Sequence, residues 1–240
     1  MHDPVTLCAD AVAGWHSAWL KSLGLRSESD GDAWRAVDTT PVIYFGGMTL
    51  RPEASEETVL GAPGAICDSW DGLDLESAGL SVWRREPWLM RAAGPLPPGR
   101  DPDELELVKV STAAEVVELE AVSVRGFGNE EATVEPGTFH PPTILDDSRM
   151  ALWLGRVDGK PVGAAMGYRT ESAVGIFGVT TIASARRRGY GGALTRAAAL
   201  PETGLPSVLA SSAEGRSLYA SLGFEEVGQL AIWARPHGVT

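Results

Sequence analysis

Apolar residues at Leu7, Ala11, Trp15, Trp19 and Leu23 recur at spacings near four, the stripe of an amphipathic helix. Gly24 stands where a glycine ends such a helix. Residues 41–50 and 80–90 read as strands. The first gathers Ile43, Tyr44 and Phe45, and the second includes Trp83 and Trp88. Residues 93–102 hold four prolines and two glycines, a run that continues neither a helix nor a central strand. The pattern divides the chain into a smaller α+β segment over 1–95, a linker over 96–102 and a second unit over 103–240.

The second unit has a more regular order. Residues 105–110 read as a strand, and a helix follows through Glu115, Val116, Leu119 and Val122, with Ser111 as its N-cap. Residues 126–147, with Pro136, Pro141 and Pro142, read as an irregular lobe. Two apolar runs, 150–157 and 161–168, flank Asp158-Gly159, which is a hairpin signal. A strand over 173–182, a helix over 193–200, a strand over 206–210, a helix over 214–222 and a strand over 224–234 complete the order. Strands outnumber helices and the two are interleaved.

Composition narrows the function. At 240 residues, with 44% hydrophobic and 22% charged positions, the chain can bury a sizeable core, so whole-chain disorder is excluded. No apolar run reaches the roughly 18 residues of a membrane helix. The start Met1-His2-Asp3-Pro4 lacks a secretory leader's basic, apolar pattern, so a cytoplasmic location is expected. A net charge of −12 argues against nucleic acid and anionic membrane as partners, and mildly favours a cationic small molecule. Cys8 and Cys67 form neither a disulfide framework nor a metal motif, and no metal is expected.

The chemistry concentrates in Val179-Thr180-Thr181-Ile182-Ala183-Ser184-Ala185-Arg186-Arg187-Arg188-Gly189-Tyr190-Gly191-Gly192-Ala193-Leu194. A β-rich run ends, a basic turn with three glycines follows, and a helix begins. Glycines let backbone approach a ligand, and a helix start offers unpaired N–H groups and a positive dipole end, which suits a pyrophosphate. A Rossmann G-x-G-x-x-G from Gly189 fails at Leu194, and no Gly-Lys-Ser/Thr triplet makes a P-loop. What remains is Arg-x-x-Gly-x-Gly on Arg186, Gly189 and Gly191.

That pattern resembles the acyl-CoA loop of the GNAT superfamily of N-acetyltransferases. The run 210–224, a helix carrying Tyr219 and ending in Leu222-Gly223-Phe224, resembles the family's C-terminal signature. The resemblance covers roughly residues 103–236. It implies an α+β, three-layer α/β/α fold with a mixed, mostly antiparallel sheet, beside the smaller N-terminal α+β domain. That domain faintly echoes the motif at Leu23-Gly24-Leu25 and would be a degenerate second copy without a glycine loop.

By resemblance, backbone of Val179 and Thr181 pairs with the pantetheine amides of acetyl-CoA. Arg186, with the backbone N–H groups of Arg187, Arg188, Gly189, Gly191, Gly192 and Ala193, forms the pyrophosphate cradle. Ser212 stands where many members have an asparagine touching CoA. Tyr219 matches the tyrosine that protonates the departing thiolate, and a backbone N–H near Val179 meets the oxyanion. Several members carry a carboxylate base on the strand entering the loop, but residues 174–181 contain no Asp or Glu. Glu171 lies at the start of that strand, far from its loop end; Glu118, Glu131 and His140, near or in the irregular lobe, are candidates without positional support, and ordered water is an equal alternative.

The implied function is transfer of acetyl from acetyl-CoA to a primary amine by direct attack in a ternary complex. The acceptor would be a small-molecule or protein amine; acyl chain length and a homodimer stay open. The competing reading is a non-catalytic acyl-CoA-binding sensor or regulatory module, motivated by the missing carboxylate.

Overall fold

In the computed structural model, which describes residues 3–94, 96–97, 99, 101–200 and 204–236, the first helix is α1 (Pro4–Ser22). The Asp3 carboxylate accepts the Thr6 N–H at 3.0 Å, and Pro4 takes the first helical position, where no N–H is needed. At the other end Gly24 is left-handed (φ 75°) and Leu25 N–H bonds the Leu20 carbonyl. The single apolar stripe is a correction: Cys8, Val12 and His16 are buried along with Ala11, Trp15 and Trp19. A helix covered on nearly every side is buried nearly all round. Here the sheet lies on one side, and the Trp34 indole (to Ser17 Oγ, 2.8 Å) and Thr143 (to the Ser22 carbonyl, 2.9 Å) close the other.

After α1 come β1 (Ser27–Ser29), β2 (Ala33–Ala36), β3 (Phe45–Thr49), a single helical turn α2 (Glu56–Val59), β4 (Ala65–Asp68) and β5 (Ser81–Arg91). β3 starts four residues later than the pattern predicts, because Pro41–Tyr44 closes a turn through Tyr44 N–H to the Pro41 carbonyl. Beyond the proline-rich run, of which Pro95, Pro98 and Arg100 lie outside the described residues, come β6 (Glu106–Lys109), α3 (Ala113–Phe127), β7 (Met150–Val157), β8 (Lys160–Arg169) and β9 (Val174–Thr181). They are followed by α4 (Tyr190–Ala198), β10 (Ser207–Ala210), α5 (Arg216–Ser221) and β11 (Glu225–Ala234). The N-cap of α3 is Thr112 rather than Ser111. Thr112 Oγ1 takes the Glu115 N–H while the Glu115 carboxylate takes the Thr112 and Ser111 N–H groups, a reciprocal capping box.

The described strands form one sheet in the order β1-β2-β3-β4-β11-β5-β10-β9-β8-β7-β6. Only β3–β4 and β9–β10 are parallel pairs, so the sheet is mixed and mostly antiparallel, as expected. The order is a palindrome about β11 and β5, with β6 added at one end. On each side a hairpin leads to a strand, then a helix, then a parallel strand. Each side's last strand crosses over: β5 lies between β10 and β11, and β11 lies between β4 and β5. The sheet thus runs across the division at 96–102.

Alternation along the strands sorts side chains to two faces. Trp88, Phe177 and Val208 meet α1 and α3, while Leu89, Ile176 and Leu209 meet Leu194 of α4 and Leu222 after α5. Helices on both faces make the three layers. Removing a side chain such as Trp88 or Leu194 from water contributes about 1.5–3 kcal/mol.

Candidate functional site

β9 and β10 share just two register pairs, Ser207 with Val174 and Val208 with Gly175. β9 continues to Thr181 and β10 turns to pair with β5, so the two strands part toward their C-terminal ends. The parting is helped by a bulge. The β8–β9 register passes from Met166–Phe177 to Ala164–Thr180, giving β9 one extra residue at Gly178, whose φ is +60°. A glycine in the middle of a strand was the sequence signal for this bulge, and it was not read.

Ile182 N–H donates to the Val162 carbonyl on β8 at 2.9 Å. Successive amides of a strand point to opposite edges, so Val179 and Thr181 direct theirs into the opening. α3 seals the adjacent stretch: a Cβ at Gly126 would fall 2.2 Å from Thr180 Oγ1, so only glycine fits there.

The loop after β9 makes a short 3-10 turn at Ala183–Ala185 and then enters left-handed backbone twice, at Arg187 (φ 63°) and Gly189 (φ 86°). A left-handed arginine is uncommon. Such alternation turns successive N–H groups to one side and makes an anion-binding concavity. Gly189 is the N-cap of α4, with no side chain capping the helix. The Gly189 carbonyl takes the N–H groups of Gly192 (3.1 Å) and Ala193 (3.2 Å), so these two close the first turn rather than face outward. The N–H groups of Arg187, Arg188, Gly189, Tyr190 and Gly191 have no partner among the described residues. Tyr190 was not among the predicted donors; its side chain is buried and bonds Glu104 at 2.9 Å.

Arg186 points elsewhere. Its Nε donates to the Thr181 carbonyl (3.1 Å) and its Nη2 to the Gly126 carbonyl (2.8 Å). The guanidinium therefore ties the loop to the end of β9 and to the last turn of α3, where carbonyls and the negative dipole end favour a cation. Next to it, the Glu130 carboxylate accepts the Ser184 N–H at 3.0 Å and the Ser184 hydroxyl, which hold it below the usual carboxylate range. Lobe and loop are joined at two points.

Tyr219 sits on α5, buried among Leu89, Ile176, Leu209 and Phe224 with Val179 at the edge. Gly215 leaves room for its ring, since a Cβ there would lie 2.8 Å from Tyr219 Cε2. Burial pushes the phenol up to about 12, so it stays protonated through the neutral range. Its hydroxyl bonds no described residue, and it is not sealed from solvent. Ser212 is exposed; the Glu214 carboxylate is lowered first by Glu214's own N–H and then by the nearby Ser212 hydroxyl.

The base candidates do not converge on the opening. Glu118 pairs with Arg156 at 2.5 Å, Glu131 and Glu171 are exposed, and His140 is buried against Trp19 at 4.4 Å. Glu120, not singled out from the sequence, is fully buried and accepts the N–H groups of Gly137 (2.7 Å), Phe139 (2.6 Å) and His140 (3.0 Å), which pins the lobe to α3. Its signal was an acid among the apolar positions Val116, Leu119 and Val122. No three His, Cys, Asp or Glu side chains gather for a metal among the described residues, and no described helix is long and apolar enough to cross a membrane.

Comparison with known proteins agrees with this geometry. The model of the acetyltransferase (GNAT) family matches residues 116–224, from the first turn of α3 to the residue before β11. Among solved structures, the GCN5-related N-acetyltransferase from Kribbella flavida is 20% identical, with a TM-score of 0.62 over 95% of this chain and 96% of that one. A protein described as an acetyltransferase from the GNAT family, from Novosphingobium aromaticivorans, is 21% identical, with a TM-score of 0.58 over 96% and 99%. A GCN5-related N-acetyltransferase-like protein from Streptococcus suis is 15% identical, with a TM-score of 0.57 over 96% and 98%. At these identities the likeness is one of fold, and it extends over both halves of the chain. No curated protein matches the chain. The parted strands, the uncapped α4 behind Gly189 and the family match lead to one conclusion: residues 116–224 belong to the acetyltransferase (GNAT) family, whose members transfer acyl groups from acyl-CoA.

Proposed function

We propose that this protein transfers acetyl from acetyl-CoA to a primary amine by direct attack in a ternary complex. The observation that carries the reading is the opening between β9 and β10, which leads directly to the uncapped N-terminus of α4. The residues present fit the cosubstrate. Val179 and Thr181 offer strand-edge amides to the pantetheine arm. The N–H groups of Arg187, Arg188, Gly189, Tyr190 and Gly191 offer five donors and a dipole end to the pyrophosphate. Gly192 and Ala193 shape the cradle from behind, and Arg186 positions it. Ser212 flanks the site with its hydroxyl turned to Glu214.

In the reaction the Val179 N–H, freed by the Gly178 bulge, stabilises the oxyanion; such donors contribute about 3–4 kcal/mol. Tyr219 donates a hydrogen bond to the leaving sulfur. A thiol titrates near 8.5, below Tyr219, so the phenol stabilises the departing thiolate by its hydrogen bond, and any proton it yields to sulfur is replaced by the one the amine nitrogen loses. Residues 1–95 serve as an accessory unit, a degenerate copy of the 103–240 plan that lends β5 to the sheet and α1 to the wall facing the opening.

A calorimetric titration with acetyl-CoA, with CoA and ATP as comparisons, tests the reading. Micromolar binding at one site per chain supports it, and no binding refutes it. The second reading, an acyl-CoA-binding module without catalysis, has one observation in its favour: 174–181 carry no carboxylate. Acetylation assays over an amine panel separate the two.

A further inference from the structure

Behind the opening, on the α1–α3 face of the sheet, the Phe177 ring next to the Gly178 bulge stacks on Trp15 of α1 at 4.7 Å and 24°. Trp15 lies 5.0 Å from His16 and 6.2 Å from Trp19, and Trp19 meets His140 of the lobe at 4.4 Å. Ser123 lies one turn on from Glu120, on the same buried face of α3. Among the described residues, these side chains hold five of the eight buried polar atoms without a partner: Trp15 Nε1, His16 Nε2, Trp19 Nε1, His140 Nδ1 and Ser123 Oγ. All five residues are more than nine-tenths buried. Unpaired buried polar groups are rare because each gives up its hydrogen bonds to water without a replacement. Five gathered on the elements that flank the reacting strand point to something they bind.

The set has a definite chemistry. The two indoles donate. His16 Nδ1 lies 2.9 Å from the Val12 carbonyl, which can only accept, so Nδ1 carries the proton and Nε2 presents a bare lone pair. Burial lowers His16 to about 4 and His140 to about 3, so both are neutral at pH 7. An ammonium here would find aromatic faces and one carboxylate, Glu120, whose oxygens are already taken up by three backbone N–H groups. A cation–π contact returns less than it costs to remove an ion from water. A neutral nitrogen is favoured.

We propose that this cluster is the acceptor site and that the acceptor is a planar aromatic amine, uncharged on nitrogen at neutral pH. The inference rests on the acetyltransferase reading, and it removes the need for the carboxylate that β9 lacks. An arylamine attacks with a lone pair already free, whereas an alkylammonium must first lose a proton. The nitrogen bonds the carbonyl carbon, the carbon–sulfur bond breaks, and the proton leaving nitrogen is balanced by one reaching sulfur. The rings are in mutual contact, so the acceptor enters by parting the lobe from α1. A groove of about 450 Å³ opens along that seam, lined by Ala18 and Lys21 of α1, by Ile144, Asp146 and Asp147 of the lobe and by Arg149; the five unpartnered side chains lie behind it and do not line it.

The test measures thiol release from acetyl-CoA with aniline, benzylamine and spermidine at pH 7, together with calorimetric acetyl-CoA binding. Aniline is expected to turn over at least about tenfold faster than either alkylamine. Ser123→Ala and Trp15→Phe each remove an unpartnered polar atom and leave most of the shape. Both should raise the aniline KM several-fold at unchanged acetyl-CoA affinity. Were these atoms merely core groups, KM would be unmoved in both variants, whatever the cavity left by Trp15→Phe does to stability, and the inference would fall. Acetyl-CoA binding without aniline turnover, or with spermidine or benzylamine preferred, overturns this inference alone. Absence of acetyl-CoA binding overturns the enzyme reading and this inference together.

Discussion

Ser69 bonds Thr49 twice, through its N–H to Thr49 Oγ1 and through its hydroxyl to the Thr49 carbonyl, both at 2.8 Å. Thr49 ends β3 and Ser69 follows β4, so the parallel pair of the first half is laced shut at its open end. Thr181 and Ser211 hold the matching places in the second half and do not meet: Ser211 bonds Pro87 and Ser212, and the Thr181 carbonyl bonds Arg186. The β3–β4 gap is closed and the β9–β10 gap is open. Calorimetry is therefore expected to count one acetyl-CoA per chain. Ser69→Ala should lower stability by about 1–3 kcal/mol, as expected for broken buried hydrogen bonds, without adding a second site.

Gly191 faces Leu218, with 3.3 Å available to a Cβ, and its N–H is one of the unpartnered donors. Gly191→Glu puts bulk and negative charge where a pyrophosphate would lie. Acetyl-CoA binding should disappear while the circular dichroism spectrum is retained. Ordinary affinity in that variant would remove the loop from the site.

Arg186 is predicted to act through the loop and not on the ligand. Arg186→Ala loses its bonds to Thr181 and Gly126. The acetyl-CoA Kd should rise about tenfold, the scale of one charged hydrogen bond, with kcat little changed. A large fall in kcat at constant Kd would contradict the positioning role.

Tyr219→Phe keeps the ring beside Phe224, at 5.9 Å in an edge contact, and removes the hydroxyl. Turnover should fall about 10²-fold, the lower end for a lost general acid, with acetyl-CoA affinity nearly unchanged. Single-turnover rates are the measurement, because slow product release would hide the effect. Equal rates would exclude the hydroxyl from the chemistry.

The parts of the site that lie within a few residues of one another were legible in the sequence. The 179–194 run encodes its own loop, and Leu222-Gly223-Phe224 encodes its own helix end. The echo at Leu23-Gly24-Leu25 is a shared helix-closing geometry: Leu25 N–H bonds the Leu20 carbonyl as Phe224 N–H bonds that of Tyr219. What escaped depends on distant pairing. Arg186 reaches Gly126 across 60 residues, and Glu120 gathers amides 17 to 20 residues away. The crossing of β5 and β11 follows from hydrogen-bond geometry that no local pattern marks. Strand β1, Ser-Glu-Ser, carries no apolar alternation at all.

The buried histidines give the fold a predictable acid sensitivity. His16 is held to about 4 and His140 to about 3 by burial, against an ordinary value near 6.5. As pH falls through about 6.5 the unfolded chain takes up both protons, while the folded chain takes up neither until about 4. Their contribution to stability is thus complete above about 6.5 and is lost progressively below it. The loss is about 1.4 kcal/mol per pH unit for each histidine. Asp68 works in the opposite sense, because burial raises its carboxyl and the folded chain accepts that proton earlier. Urea denaturation at pH 7.5 and pH 5.5 should show a loss of about 2–3 kcal/mol on acidification. His16→Phe, which keeps a ring against Phe45, should roughly halve that loss. A variant with the full acid sensitivity of the parent would show that His16 is protonated in the folded protein.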